Sequence, residues 1–188
     1  MTQQTVSLPP AALPGADAHF DGLLVTLLLS GDRRAGSRLY ARWHPRLLRT
    51  ARRHTGSSEL AASAVQDCWL AIWRGLPGLR DPGHFAPWAF GILRRRCADQ
   101  VTALARERSR CSETGGQSAE AAPDDRIAII QAFATLSPVH RLAAHLFFVE
   151  GLSLAEIALV QEVPEGTVKS RLFHARRQLK AALSGDNQ

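Results

Sequence analysis

The sequence is poor in cysteine and aromatic residues and contains no long apolar run. Its three cysteines, Cys68, Cys97 and Cys111, lie far apart and lack the C-x-x-C or mixed His/Cys spacing of a zinc site. This pattern favours buried or incidental thiols in a reducing compartment over a redox switch or a metal site. The richest apolar run, residues 23–29, is far shorter than the roughly eighteen residues that cross a bilayer. It also lacks the basic flank of a signal peptide, so we expect a cytoplasmic protein.

Signatures of catalysis are absent from the sequence as well. We find no glycine-rich phosphate loop, no nucleophile elbow and no H-E-x-x-H pattern. Five of the seven histidines are scattered and have no obvious carboxylate or cysteine partner at a local spacing: His44, His54, His84, His140 and His145. The sequence therefore predicts a protein that is not an enzyme, with no catalytic residue, metal, cofactor or small-molecule substrate.

Positive charge is abundant and unevenly distributed. The net charge is +6, and residues 1–108 carry 15 Lys and Arg against 8 Asp and Glu. Residues 109–125 carry 1 against 4, and residues 126–188 carry 7 against 5. Two basic blocks flanking a short acidic connector are attracted to a phosphate backbone, with an affinity that falls as salt rises. Because many basic proteins never bind nucleic acid, charge alone does not decide the function.

The hydrophobic periodicity is helical throughout and predicts an all-α protein, with no alternating run that would indicate a strand. Loop-forming residues divide the chain. We expect two small helical domains joined by a flexible linker, with these bounds: an N-terminal arm (1–16), an N-terminal domain (17–108), a linker (109–125) and a C-terminal domain (126–184).

Helix-ending signals mark the N-terminal domain. The segment 55–58, Thr-Gly-Ser-Ser, predicts the end of one helix at glycine and a hydroxyl cap on the next. Pro77-Gly78 and residues 81–83, Asp-Pro-Gly, break the chain twice within a short distance. A further helix is predicted from about Phe85 to Arg108.

The C-terminal domain carries the sharpest local pattern. Ser153 and Glu156 have the spacing of a capping box, and Pro164 suits the first position of a new helix. The last helix has an apolar stripe, and residues 166–184 carry five cationic side chains and no acid. A short buried helix, a tight turn and a cationic second helix indicate a helix-turn-helix over about residues 153–180.

The second helix of such a motif enters the major groove of DNA, where short polar side chains permit close approach and cations pair with phosphates or guanine edges. The predicted DNA contacts are Thr167, Lys169, Ser170, Arg171, His174, Arg176 and Arg177. The alternative is an amphipathic C-terminal helix with a solvated basic face. The capping box, the turn and Pro164 at matching spacing favour the helix-turn-helix.

Two separate blocks of the sequence resemble the extracytoplasmic-function (ECF) sigma factors, the small two-domain members of the sigma-70 family. Residues 165–172, Glu-Gly-Thr-Val-Lys-Ser-Arg-Leu, followed by 174–176, His-Ala-Arg, are similar to the family's recognition helix. Residues 65–69, Val-Gln-Asp-Cys-Trp, with Trp73 resemble the helix that docks on RNA polymerase. The spacing from Phe85 to Asp99 is similar to the segment that opens promoter DNA.

The resemblance implies a function for each domain. The N-terminal one would bind the clamp helices of the β′ subunit of bacterial core RNA polymerase through Gln66, Asp67 and Trp73. It would also recognise and melt the promoter −10 element, through Leu79, Arg80, Asp81, His84, Phe85, Trp88, Arg94 and Arg95. The C-terminal one would read the −35 element and contact the β flap. Relatives often depend on a partner anti-sigma factor, and Ser63 and Arg95 depart from the family's usual residues.

Other interpretations of the same residues remain open at this point. Trp69, Trp73 and Trp88 lie on apolar stripes, so core packing competes with any binding role. The arginine run 94–96 could also be a solvated surface, and the spacing of Gln66 and Asp67 fits an ordinary exposed polar pair as well as it fits a polymerase contact. A conventional helix-turn-helix regulator, acting on duplex DNA without polymerase, would explain the C-terminal domain but leaves the segment from Phe85 to Asp99 without a role.

Overall fold

The computed structural model describes residues 14–110 and 131–184, which are helical and contain no strand. The all-α prediction is confirmed. The α-helices in these ranges are α1 (Pro14–Leu29), α2 (Arg33–Thr55), α3 (Ser58–Gly75), α4 (Phe85–Arg110), α5 (Pro138–Phe148), α6 (Leu154–Gln161) and α7 (Glu165–Ser184). Two 3-10 turns, Leu76–Gly78 and Pro82–His84, connect α3 to α4, and residues 131–134 are also helical. Among these helices, none is both long and apolar enough to pass through a membrane.

The predicted break between α2 and α3 is confirmed. Gly56 follows α2 with a φ of 69°, a left-handed conformation that costs glycine little, and its N–H donates to the carbonyl of Arg52. The Ser57 hydroxyl then accepts from the backbone N–H of Leu60 and caps α3. One residue of left-handed backbone and one hydroxyl thus set the angle between the two helices.

The boundaries of the predicted arm and linker change in the structure. Helix α1 begins at Pro14, inside the segment 1–16 that we predicted as a loose arm, because proline is well suited to the start of a helix. Helix α4 continues to Arg110, slightly past the predicted end of the N-terminal domain. Residues 1–13 and most of the predicted linker lie outside the described residues.

Helices α1 to α4 pack around Trp43, which is fully buried. Phe85 and Phe90 of α4 meet its ring edge-on, at centroid distances of 5.1 and 5.5 Å. Leu39 and Leu47, one turn to either side of Trp43, are also fully buried. Truncation of a fully buried tryptophan to alanine typically costs about 3–5 kcal/mol, so this cluster contributes substantially to the stability of the N-terminal helices.

Helices α5 and α6 pack against α2 and α4, so the two halves share one apolar core. Leu142, Leu146, Ile157 and Val160 belong to the same buried cluster as Trp43. Polar contacts extend this interface, and the two halves that the sequence predicts as separate domains lie against each other in this structure.

Candidate nucleic-acid interface

The predicted helix-turn-helix has the local geometry that its residues indicate. The Ser153 hydroxyl accepts from the N–H of Glu156 at 3.2 Å, and the Glu156 carboxylate accepts from the N–H of Ser153 at 2.8 Å, which completes the capping box. Glu162 then turns the chain with a φ of 53°. Pro164 differs slightly from the prediction: its carbonyl accepts from the N–H of Val168, so it caps α7 from the position before the first helical residue.

Helix α7 buries one stripe and exposes the rest. Val168 and Ala175 are fully buried against the other C-terminal helices. The predicted DNA contacts that are exposed on the remaining surface are Lys169, Ser170, His174, Arg176 and Arg177, and Thr167 is half-buried. Within the described part of the chain, none of the three cations among them forms an ion pair. This surface is therefore a cationic helix face whose charges have no internal partner there.

Arg171 differs from the other predicted contacts. It is half-buried, and its Nη1 donates to the Oε1 of Gln161 at 2.5 Å. Gln161 is itself buried and donates to the carbonyl of Val139 at 3.2 Å. The Arg171 side chain therefore connects α7 to α6 and, through Gln161, to α5.

Phe173 is not among the predicted DNA contacts, although its side chain is 64% exposed. The ring lies on the outward face between Ser170 and Arg177 and meets His174 edge-on at 5.7 Å. His174 in turn stacks on His140 of α5. An apolar residue off the buried stripe of a cationic helix was the signal that would have identified it, since an apolar side chain can contact a thymine methyl group.

The loop between α3 and α4 projects three of the predicted −10 residues into solvent: Arg80, Asp81 and His84. Leu79 is half-buried. The Asp81 carboxylate organises the turn, accepting from the N–H of Gly83 at 2.8 Å and meeting Nδ1 of His84 at 2.7 Å. These two hydrogen bonds hold the pKa of Asp81 below its ordinary value.

Phe85 and Trp88 occupy different environments. We predicted both as contacts for single-stranded bases, but Phe85 is fully buried against Trp43, where it cannot reach DNA without unpacking the core. Trp88 is half-buried, and its indole lies so close to Gly75 that an added Cβ there would come within 3.1 Å of it. The prediction for Phe85 is therefore corrected: this ring is a core residue, because α4 turns it toward α2.

Arg94 and Arg95 contact the helix-turn-helix. The Nε of Arg94 donates to the carbonyl of Val160 at 2.7 Å, and its Nη2 lies 2.7 Å from the Oε1 of Glu162. Arg95 reaches the same carboxylate oxygen at 2.9 Å. We predicted both arginines for single-stranded DNA. In this structure they are instead paired with the turn of the helix-turn-helix, and those hydrogen bonds lower the pKa of Glu162.

The predicted polymerase contacts lie together on the outer face of α3. Gln66 is exposed, Asp67 accepts from the Nε2 of Gln100 at 2.9 Å, and Trp73 is 38% exposed. Trp73 stacks on Trp69 at a centroid distance of 5.0 Å. Leu70, missed by the sequence analysis, is 52% exposed on the same face. The spacing Gln66, Leu70, Trp73 is that of a second helical stripe, which the stronger buried stripe concealed.

The described cysteines are buried, as the sequence favoured. Cys68 and Cys97 are fully buried, and burial raises the pKa of each thiol to about 12. The described residues hold no cluster of three or more metal-ligating side chains. Cys111 lies outside the described residues.

Each half of the chain matches a known protein family. The Sigma-70 region 2 family matches residues 39–107, and the Sigma-70, region 4 family matches residues 126–179. The ECF RNA polymerase sigma factor SigM of Mycobacterium tuberculosis is 30% identical over 177 residues, covering 93% of this chain and 90% of the relative. The chain belongs to the ECF sigma factors.

Other relatives of this sigma factor cover most of its length. The ECF RNA polymerase sigma-E factor of Escherichia coli is 26% identical over 85% of this chain and 92% of its own. Among solved structures, CnrH in complex with the cytosolic domain of CnrY matches with a TM-score of 0.65 and 26% identity, over 89% of this chain and 99% of that chain. The sigma factor RpoE of Bartonella quintana, in complex with the anti-sigma factor NepR, shares the fold, with a TM-score of 0.72 and 24% identity over 80% of this chain and 98% of that chain.

Proposed function

We propose that this ECF sigma factor binds core RNA polymerase through α3, reads the −35 element through α7 and reads the −10 element through the loop before α4. It performs no catalysis of its own and acts with the polymerase in the cytoplasm. One observation carries the assignment of α7: after a completed capping box and turn, Lys169, Arg176 and Arg177 are exposed and make no ion pair with the rest of the described chain.

The face of α7 offers two kinds of contact to a duplex. Lys169, Arg176 and Arg177 supply charge for phosphates, which positions the helix without reading sequence. Ser170, Phe173 and His174 are exposed on the same helix and supply donors, acceptors and an apolar edge for bases. Thr167 is half-buried at the start of the helix, where a recognition helix approaches the bases. Arg171 acts by fixing α7 on Gln161.

The −10 contact is assigned to side chains that remain available beside α4. Arg80, Asp81 and His84 are exposed on a turn that Asp81 holds in shape. Leu79 and Trp88 form the half-buried floor beside them. Arg95 joins the DNA contact once the exposed Glu162 side chain turns away from it. Arg94 also donates to the backbone carbonyl of Val160, so its release requires α6 to separate from α4. A sigma factor bound to a promoter therefore has a different arrangement of its two halves from the one described above.

The polymerase contact is assigned to Gln66, Asp67, Leu70 and Trp73. An exposed tryptophan and leucine beside polar groups give the mixed surface of a protein interface, in which aromatic anchors contribute most of the binding energy. The β flap contact belongs to the C-terminal helices by family resemblance. An anti-sigma factor is a further expected partner, since solved relatives are complexes with such proteins.

Reconstitution with bacterial core RNA polymerase tests the three assignments separately. Holoenzyme made from the full chain selects promoters from a random library, and the selected promoter is then used for transcription assays. Gln66→Ala with Trp73→Ala should lower affinity for core polymerase. Lys169→Ala with Arg177→Ala should lower promoter binding while core affinity stays at the wild-type value.

Asp81→Asn and His84→Gln complete the set. We expect them to change base preference at the −10 element and to leave core affinity unchanged. Arg33→Ala, an exposed cation outside all three surfaces, is the matched control. Absence of binding to core polymerase at low salt would overturn the proposal as a whole, whereas loss of core affinity in the loop variants would overturn the −10 assignment alone.

A further inference from the structure

We propose that Gly22 of α1 is a positioning residue for −10 recognition. Through the contact at Gly22, α1 supports the Asp81–His84 turn and fixes how far it projects toward DNA. The inference rests on the proposed −10 role of that turn and adds a residue outside it. No pattern in the sequence suggested a role for α1 in reading the promoter. Gly22 and the turn at Pro82 and Gly83 come together only in the folded structure.

The turn lies directly against α1 at Gly22, which is buried. A Cβ added to Gly22 would come 3.3 Å from the backbone N of Gly83 and from the backbone C of Pro82. It would also lie 3.4 Å from the Cα of Gly83. Since these are backbone atoms, they cannot rotate away as a flexible side chain can. Any side chain at position 22 therefore displaces the turn by a few tenths of an ångström.

Helix α1 is too firmly held to yield instead. The adjacent Asp21 is buried and accepts from the Nε of Arg42 on α2 at 2.8 Å. Leu24 and Val25, in the same turn of α1 as Gly22, are buried in the core. Within α1, the carbonyl of Gly22 accepts from the hydroxyl of Thr26 at 2.9 Å, which stiffens the backbone of the helix at Gly22. A clash at Gly22 is therefore relieved on the side of the turn, which is more exposed.

Displacement of Gly83 reaches the side chains that face DNA. The N–H of Gly83 donates to Oδ1 of Asp81, whose Oδ2 meets Nδ1 of His84. Asp81 and His84 therefore move together with the backbone of the turn. Because recognition of a base depends on donor and acceptor positions, a shift of this size changes which base is preferred more than it changes overall binding.

The test uses the full chain reconstituted with core polymerase and a promoter set in which each −10 position carries each of the four bases. Gly22→Ala is compared with Gly91→Ala, a buried helical glycine whose added Cβ meets nothing within 4 Å. We expect Gly22→Ala to change, by about fourfold, the ratio of the transcription rates on two promoters that carry the preferred and the next-preferred base at one −10 position. A misplacement of about 1 Å lowers a rate by about 100-fold, so a shift of a few tenths of an ångström should have this smaller effect. Gly91→Ala should keep the wild-type ratio, and both should keep wild-type affinity for core polymerase.

Thermal unfolding of each variant separates positioning from folding. If Gly22→Ala does not fold, Thr26→Val is the second variant: it removes the hydroxyl that holds the Gly22 carbonyl and should change the same base ratio by a smaller factor. Equal loss of transcription on every promoter, with a lowered melting temperature, would show that α1 is only structural and would overturn the inference.

The loop variants distinguish this failure from failure of the proposed function. If Asp81→Asn or His84→Gln changes the −10 preference and Gly22→Ala does not, the positioning role of Gly22 is wrong and the −10 assignment of the turn stands. If all three variants keep the wild-type preference, the −10 assignment of the turn is wrong, and so is the positioning role of Gly22.

Discussion

The Nε2 atom of His145 on α5 lies 2.9 Å from the hydroxyl oxygen of Thr50 on α2. That hydroxyl donates its own proton to the carbonyl of Arg46, so Nε2 is the donor to Thr50. The Nδ1 atom lies 3.0 Å from Nη1 of Arg53, which can only donate, so Nδ1 is an acceptor. His145 is therefore neutral and carries its proton on Nε2, at a position that connects the two halves of the molecule.

Acidification should weaken this connection. Burial lowers the pKa of His145, with further lowering by Arg53 and Arg49 against the raising effect of Glu150. His54 and Arg141 also line the same interface. Below the ordinary histidine pKa of about 6.5, the unfolded chain binds a proton that the folded one excludes, so stability falls as pH falls from about 7 to about 5. The free energy of unfolding of wild type and His145→Gln, measured in urea across this range, checks the prediction. His145→Gln should show the smaller pH dependence, and equal slopes would contradict it.

Arg46 should contribute far more to stability than Glu162, although both form ion pairs between the two halves. The Glu150 side chain is only 2% exposed and lies 2.8 Å from the Nε of Arg46. The neighbouring His145 and Arg46 side chains outweigh the effect of burial and lower the pKa of Glu150. Arg46→Met should cost about 3–5 kcal/mol, because it leaves a buried carboxylate without its cation. Glu162→Gln removes two ion pairs, with Arg94 and Arg95, that an exposed carboxylate makes in screening solvent, and it should leave the unfolding midpoint in urea unchanged. Similar midpoints for the two variants would contradict this ranking.

Arg176 and Arg171 should differ in what their removal does. Arg176→Ala should weaken promoter binding by the holoenzyme and reduce the slope of log affinity against log salt by about 0.9, the value for one lost phosphate contact. Arg171→Ala should instead lower the melting temperature of the sigma factor, since its guanidinium is bonded to Gln161. Salt titrations of promoter binding, with thermal unfolding of each variant, make the comparison. A lowered salt slope in Arg171→Ala without loss of stability would show that Arg171 contacts DNA directly.

Cys68 and Cys97 should resist alkylation while the protein is folded. Their thiolates are scarce near neutral pH because burial raises each pKa to about 12. Iodoacetamide labelling of a Cys111→Ser variant, followed by mass spectrometry, should give no modification under native conditions and two modifications in urea. Fast native labelling at either cysteine would contradict the burial of these thiols.

Local patterns in the sequence were enough to predict most helices and their ends. Gly56 and Ser57 act on neighbours within a few residues, and so do Ser153 and Glu156 in the capping box. Their effects depend only on backbone geometry and short-range hydrogen bonds, which a sequence displays directly. The same is true of the cationic face of α7, since a helical period and a list of charges define it.

Burial and pairing between distant helices could not be predicted in this way. Phe85 has the same apolar character as an exposed aromatic residue in the sequence, and only the packing of α4 on α2 removes it from solvent. Arg94 and Arg95 belong to a basic run that is equally suited to DNA or solvent. Their carboxylate partner, Glu162, lies far along the chain, 67 residues from Arg95.

The sequence by itself thus determined the all-α class, the helix-turn-helix and the resemblance to ECF sigma factors, because each depends on residues close together in the chain. Tertiary structure alone decided which predicted contacts are free, which are in the core and which are paired across the two halves. It also decided that Gly22 lies against the turn of Asp81 and His84. The physical reason is that helix faces meet through shape and burial, which depend on the whole chain at once.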